Sequence, residues 1–325
     1  MRAAEFFAGM GLVRAGLEQV GVRTVYANDI CPTKAKLYRS NWGTDALVQD
    51  DIRNVSAADI PDVEIATASF PCIDTSVAGK RAGLEGEQSG LINEFVRILT
   101  ESGKRIPKAV IVENVPGFRT VNGGRDFALV VSRLESLGYS VADVAVDAAA
   151  FVPQSRARVF LLGTQGEAPA VPDPPRETTS LRLVDVASTD SPWWPRRRRD
   201  DALASLSPLQ RARVNQWQAD SSVRYFGAFR RTRNGRPVWE IRSDQIAGTL
   251  RTLSGGSARQ AIARIGAGRF DMRWMVLDEY ARLQGAEGLR YDAVSERQAM
   301  YALGDAVCVP VMKWIGDNWV KRLTA

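Results

Sequence analysis

A chain of 325 residues, 45% hydrophobic and 25% charged, has material for one large domain and a smaller one. It contains no histidine and three scattered cysteines (Cys31, Cys72 and Cys308), which excludes a histidine-activated nucleophile and a histidine-ligated metal and offers no CxxC pair. The net charge of +6 is modest, so any polyanion partner must be met by local clusters of cations.

Met1-Arg2-Ala3-Ala4-Glu5-Phe6 runs directly into a strand-like segment, so no leader peptide is expected. Glu5–Ala8 reads as the first strand, followed by Phe7-Ala8-Gly9-Met10-Gly11 and a helix over Leu12–Val20. Glycines at that turn let backbone N–H groups approach an anionic ligand, although a plain tight turn has the same appearance. Val22–Ala27 is the second strand and ends at Asn28-Asp29, and Pro32 opens a helix to about Ser40. Short strands at Ala46–Val48, Val63–Ala68 and Ala109–Val112 follow, with helical spacing over Leu91–Thr100 and Phe127–Leu137. Tyr139–Val146 and Arg158–Gly163 complete the series. Such alternation predicts an α/β fold with a mainly parallel sheet covered on both faces.

The texture changes near residue 166, where a proline-rich stretch leads into about a hundred residues of weak periodicity. Trp193-Trp194-Pro195, the run Arg196-Arg197-Arg198-Arg199 and the stretch holding Arg230, Arg231, Arg233 and Arg236 lie here. The expected division is 1–165, an irregular smaller domain over 166–298, and a return to the first domain over 299–325 through a helix spanning Ala306–Val320. Clustered arginine points to nucleic acid, with a solubilising surface as the equal alternative. No apolar run is long enough to cross a bilayer, and unpaired thiols suit a reducing cytoplasm.

Several residues at strand ends could carry chemistry. Asp29 and Asp51-Ile52 follow successive strands, where a nucleotide-like ligand meets the carboxyl edge of a sheet, although each acid alone also suits a solvated loop. Ser69-Phe70-Pro71-Cys72 delivers a thiol to that edge, and Glu113-Asn114-Val115 delivers a carboxylate. Gln154-Ser155-Arg156-Ala157-Arg158 puts two arginines on one strand face at i, i+2 spacing.

Taken in order, these segments resemble the 5-methylcytosine DNA methyltransferases over nearly the whole chain. The closing segments Glu279-Tyr280-Ala281-Arg282-Leu283-Gln284-Gly285 and Gly304-Asp305-Ala306-Val307 complete the set. The resemblance implies a Rossmann-like domain that binds S-adenosyl-L-methionine through Phe7, Gly9, Gly11, Leu12, Asp29, Ile30, Asp51, Ile52, Pro71, Leu91, Asp305 and Ala306. It makes Cys72 the nucleophile that adds to cytosine C6, with Glu113 at N3, Arg158 at O2 and Arg156 in support. The target is a base flipped from duplex DNA, held by Ser76, Lys80 and Arg81 in the glycine-rich loop and by Arg196–Arg199, Arg230, Arg231 and Arg233 in a target-recognition domain. A bacterial modification system, a cognate restriction endonuclease and a monomer are the implied setting. Ile73, Ile30, Asp278 and Asp305 stand where the family usually has glutamine, an aromatic residue, arginine and asparagine. The competing readings are a catalytically silent DNA-binding homologue, an RNA cytosine methyltransferase on the same scaffold, and a dinucleotide oxidoreductase. Arg14 stands where the last of these would need its third glycine.

Overall fold

The computed structural model describes residues 1–71, 89–171, 173–175, 181, 191–252 and 258–323. Cys72, Ser76, Lys80 and Arg81 lie outside the described residues. The chain divides into two compact units, one of residues 1–147, 157–174 and 307–325, the other of 148–156 and 175–306.

In the first unit, seven strands among the described residues form one sheet: β1 (Arg2–Phe6), β2 (Arg23–Asn28), β3 (Leu47–Val48), β4 (Ile65–Ala68), β5 (Ala109–Asn114), β6 (Tyr139–Asp147) and β7 (Ala157–Gln165). Their order is β3-β2-β1-β4-β5-β7-β6. β1 runs parallel to β2 and β4, and β4 parallel to β5, whereas β7 is antiparallel to both neighbours. Every residue of β4 and β5 is buried, as expected for strands covered on both faces. The strand order reverses at β1, and Phe6 stands in register with Asn28 on one side and Ala68 on the other. The loops after β1, β2 and β4 therefore leave the same edge, where a doubly wound sheet binds its ligand.

The helices are α1 (Leu12–Glu18), α2 (Pro32–Trp42), α3 (Ile92–Ser102), α4 (Arg125–Ser136) and, from the last part of the chain, α9 (Val309–Asn318). Phe6, Phe95, Ile98, Phe118, Val130 and Leu134 are among the side chains filling one face of the sheet. Glycine governs how α9 meets α1. A Cβ at Gly16 would lie 2.5 Å from Met312 Cβ, and one at Gly316 would lie 2.5 Å from Val20 Cγ2. The first strand begins and ends earlier than Glu5–Ala8, because Phe7 takes φ +56° and breaks the extended run. The final helix is shorter than Ala306–Val320, with Pro310 in its first turn.

The second unit is more regular than its periodicity suggests. It holds α5 (Arg196–Ser205), α6 (Pro208–Ala219), α7 (Leu277–Leu283), α8 (Glu296–Asp305) and a sheet of four antiparallel strands among the described residues. These are β8 (Arg224–Arg233), β9 (Arg236–Ile241), β10 (Gln260–Gly266) and β11 (Arg269–Trp274), ordered β11-β10-β8-β9. Two hairpins turn through residue pairs of positive φ, Asn234-Gly235 and Ala267-Gly268. Trp194, Trp239 and Trp274 meet pairwise with centroids 5.2–5.4 Å apart at one part of this core. No helix among the described residues is long and apolar enough to cross a membrane.

Candidate active site

The glycine loop between β1 and α1 is held from two sides, by Asp29 and by Trp42. Gly9 and Gly11 adopt φ +59° and +84°, so the loop curls back before α1 starts. Asp29 is 6% exposed. Its carboxylate accepts from the Gly9 N–H at 2.7 Å and the Cys31 N–H at 2.8 Å, joining the loop to the start of α2. Trp42 Nε1–H donates to the Met10 carbonyl at 3.0 Å. Beside Asp29, Ile30 is 61% exposed and Val48 42% exposed, an apolar pair left open at the sheet edge. Leu12 is buried, and Leu91 packs partly buried against the core.

Asp51 is engaged by a partner that sequence reading did not single out. Its carboxylate accepts from the Arg53 N–H at 2.9 Å and pairs with the Arg53 guanidinium at 2.6 Å, which holds its pKa below the usual carboxylate range. Ile52 is 3% exposed and belongs to the hydrophobic core, so its side chain contributes packing.

At the end of β5, Glu113 and Asn114 act in different directions. Glu113 Oε1 meets Arg158 Nε at 2.8 Å, with both side chains mostly buried. Asn114 Nδ2–H donates to the Phe70 carbonyl at 3.2 Å, and its Oδ1 accepts from the Val115 N–H at 2.8 Å. The segment Phe70-Pro71 is therefore pinned to the strand end that carries Glu113. Phe70 also packs edge-on against Phe118 at 5.4 Å.

Arg156 lies just before β7, its carbonyl accepting from the Ala148 N–H at 3.0 Å, and Arg158 lies within the strand. Arg156 is 2% exposed and belongs to the second unit. It donates to the carbonyls of Leu250 at 2.9 Å, Gly304 at 3.3 Å and Ala306 at 2.6 Å. Gln154 beside it is bonded to Leu283 O and Leu250 N. Gly304 passes so close to Arg251 that a Cβ would meet its carbonyl oxygen at 2.3 Å. Asp305 is exposed and Ala306 half-buried in the same unit.

The arginine run is the first turn of α5, and its members differ. Arg196 and Arg197 are exposed, with Arg196 3.7 Å from Asp200. Arg198 lies 4.1 Å over Trp194, and Arg259 lies 5.4 Å over Trp274. Desolvation lowers the Arg198 pKa, and the positive fields of Arg230 and Arg259 lower it further. Arg199 pairs with Asp271, and Arg231 and Arg233 pair with Glu240. Arg198, Arg230 and Arg259 thus make a cationic group around the tryptophans, while Arg199, Arg231 and Arg233 face carboxylates of their own unit.

The model of the C-5 cytosine-specific DNA methylases matches residues 1–321. The chain belongs to that family. Among its relatives, the Type II methyltransferase M.Bsp6I of Bacillus sp. is 36% identical over 50% of this chain and 52% of its own. M.NlaX of Neisseria lactamica is 29% identical over 99% of this chain and 96% of its own. The chain thus aligns with about half the length of M.Bsp6I. A solved Entamoeba histolytica methyltransferase superposes with TM-score 0.69 at 14% identity, covering 99% of this chain and 98% of that one. The S. pombe Dnmt2 methyltransferase superposes with TM-score 0.65 at 18% identity, covering 100% and 99%.

Within this C-5 methylase, the segment with Asp278 in place of arginine is braced another way. Arg273 on β11 makes a two-pronged pair with Glu279 on α7, both bonds 2.8 Å and both groups essentially inaccessible. Sequence reading missed Arg273, although it stands only six residues before Glu279.

Proposed function

We propose that this C-5 methylase transfers a methyl group from S-adenosyl-L-methionine to C5 of a cytosine flipped out of duplex DNA. The observation that carries the reading is the paired action of Glu113 and Asn114. One amide fixes Phe70, two residues before Cys72, while the adjacent carboxylate meets a guanidinium at 2.8 Å. An acid and a cation at one strand end are the groups needed to neutralise charge on the far edge of a pyrimidine that a thiolate attacks at C6.

Cytosine C5 is a poor nucleophile, and addition of the Cys72 thiolate at C6 makes it electron-rich. Glu113 then holds or protonates N3 and Arg158 bonds O2, so the base edge enters a pair that already exists. Once C5 carries the methyl group, a water or base removes the C5 proton, the C5–C6 double bond re-forms and the Cys72 thiolate is expelled. The thiolate must approach perpendicular to the ring, which stacking forbids, so the base leaves the helix. Arg156 supports this centre indirectly, by tying together carbonyls of the second unit.

The residues present fit the cofactor. The open apolar pair Ile30 and Val48 suits an adenine ring, Asp29 suits the ribose, and the curled loop through Phe7, Gly9 and Gly11 leaves backbone groups accessible. When bound, S-adenosyl-L-methionine supplies the methyl group on a sulfonium. Pro71, Leu91 and Asp51, all of the first unit, are assigned to the same pocket. We assign target recognition to the second unit, with Arg198 and Arg230 foremost and Ser76, Lys80 and Arg81 contributing from the loop. The Type II relatives support a bacterial modification role, and we propose with it a cognate endonuclease as partner and a cytoplasmic monomer.

Bisulfite sequencing of DNA from cells producing the protein should reveal methylcytosine in one sequence context. Cys72→Ser should abolish that signal and retain DNA binding. A duplex carrying 5-fluorocytosine in that context should become covalently trapped, since fluorine cannot leave as a proton does. Full turnover by Cys72→Ser would refute the covalent route.

A further inference from the structure

β1 carries, beneath the glycine loop, a buried acid that the proposed reaction does not use. Glu5 is 2% exposed, and no side chain completes a hydrogen bond to either carboxyl oxygen; what approaches it is the Arg14 backbone N–H and the Arg14 charge. Burial, opposed only in part by Arg14, raises its pKa to about 8. The groups facing it are Arg14 and Glu18 on α1, Asp29 after β2 and the Tyr38 phenol on α2.

Arg14 is engaged on its other side. Its Nε–H donates to Glu18 at 2.8 Å, its Nη1–H donates to Tyr38 Oη at 3.1 Å, and its guanidinium stands 4.9 Å over the Trp42 ring. Trp42 bonds the Met10 carbonyl, and Gly11 is pressed so close that a Cβ would lie 2.4 Å from the indole nitrogen. One line of contacts thus runs from the neighbourhood of Glu5 through Arg14 and Trp42 to the backbone of residues 10 and 11.

We propose that Glu5 is a positioning residue for the cofactor loop, acting through Arg14 and Trp42. As a neutral acid it leaves Arg14 seated on Trp42, with the loop braced. Once ionised, the carboxylate draws the Arg14 guanidinium inward, the brace slackens, and cofactor affinity falls. The device rests on reading this loop as the S-adenosyl-L-methionine site. Because the proton is held below about pH 8, affinity is full near neutrality and is lost as pH rises through that value.

The test is calorimetric titration of S-adenosyl-L-methionine into the full chain between pH 6.5 and 9, for wild type, Glu5→Gln and Arg14→Gln. The Glu5→Gln protein should match wild type within twofold at pH 7 and then stay level while wild type weakens about tenfold, a typical size for coupled sites. The difference between the two profiles is the readout, since titration of the ligand itself is common to both. Arg14→Gln should bind more weakly with that same added dependence removed, and it carries the test alone if Glu5→Gln does not fold. Parallel profiles for wild type and the variants would overturn the proposal. Absence of binding by all three proteins at every pH would overturn the cofactor reading itself.

Discussion

The Glu113–Arg158 pair gives the catalytic proposal its sharpest consequence. Each group is already desolvated, so the incoming base replaces one protein contact with contacts to its own N3 and O2. Glu113→Gln keeps the shape and removes the charge. It should lower methyl transfer on the order of 10²- to 10³-fold, as loss of one transition-state contact commonly does. Cofactor affinity should hold, which single-turnover kinetics and calorimetry check separately. Glu5 makes a prediction of a different kind. Its pKa is raised by folding to about 8 from the ordinary 4.5, so its favourable contribution is complete below pH 4.5 and disappears as pH climbs through 8. Urea unfolding should show stability falling by up to about 1.4 kcal/mol per pH unit across that window, and Glu5→Gln should remove this slope. Asp29 and Glu113 are legible in the sequence because strand ends fix where acids go. The Asn114–Phe70 bond, Arg53 beside Asp51 and the neutral state of Glu5 are not, since each depends on a neighbour met only after folding.

At the scale of elements, antiparallel pairing decides what could be read. Parallel strands of the first unit announce themselves as buried apolar runs such as Ile65–Ala68 and Ala109–Asn114. β8 and β9 carry arginine, threonine and proline near their shared turn, so their hydrophobic signal is broken. Asn234-Gly235 is the available clue, a pair suited to a two-residue hairpin. The arginine run has the composition of a linker, yet Arg199 docks on Asp271 and Arg198 on Trp194, so α5 is anchored through its basic residues. Arg273 and Glu279 join β11 to α7 with no access to water. Removing one partner leaves a buried charge alone, so Glu279→Gln should cost about 3–5 kcal/mol in chemical denaturation. The double replacement Arg273→Met with Glu279→Leu should recover much of that loss.

For the whole molecule, charge distribution is more informative than net charge. Arg199, Arg231 and Arg233 pair with acids of their own unit, and Arg198, over Trp194, stands in the fields of Arg230 and Arg259. If that group meets phosphates, replacing all three by alanine should reduce the slope of log affinity against log salt by about 0.9 for each phosphate no longer neutralised. Filter binding across a salt series measures this, and an unchanged slope would move the DNA-binding surface elsewhere. The α/β class and the strand-end chemistry follow from local pattern, because those signals repeat within a few residues. The antiparallel sheet does not, because arginine, threonine and proline interrupt the apolar alternation of β8 and β9.

Gly16 and Gly316 tie α1 to α9. During synthesis α1 emerges well before the surface that covers it, which lies about three hundred residues further along the chain. Until then an apolar face stays open to chaperones and to other nascent chains. Late docking of this kind favours slow maturation, and a separately supplied segment carrying residues 307–323 should rescue, in trans, a chain that lacks it.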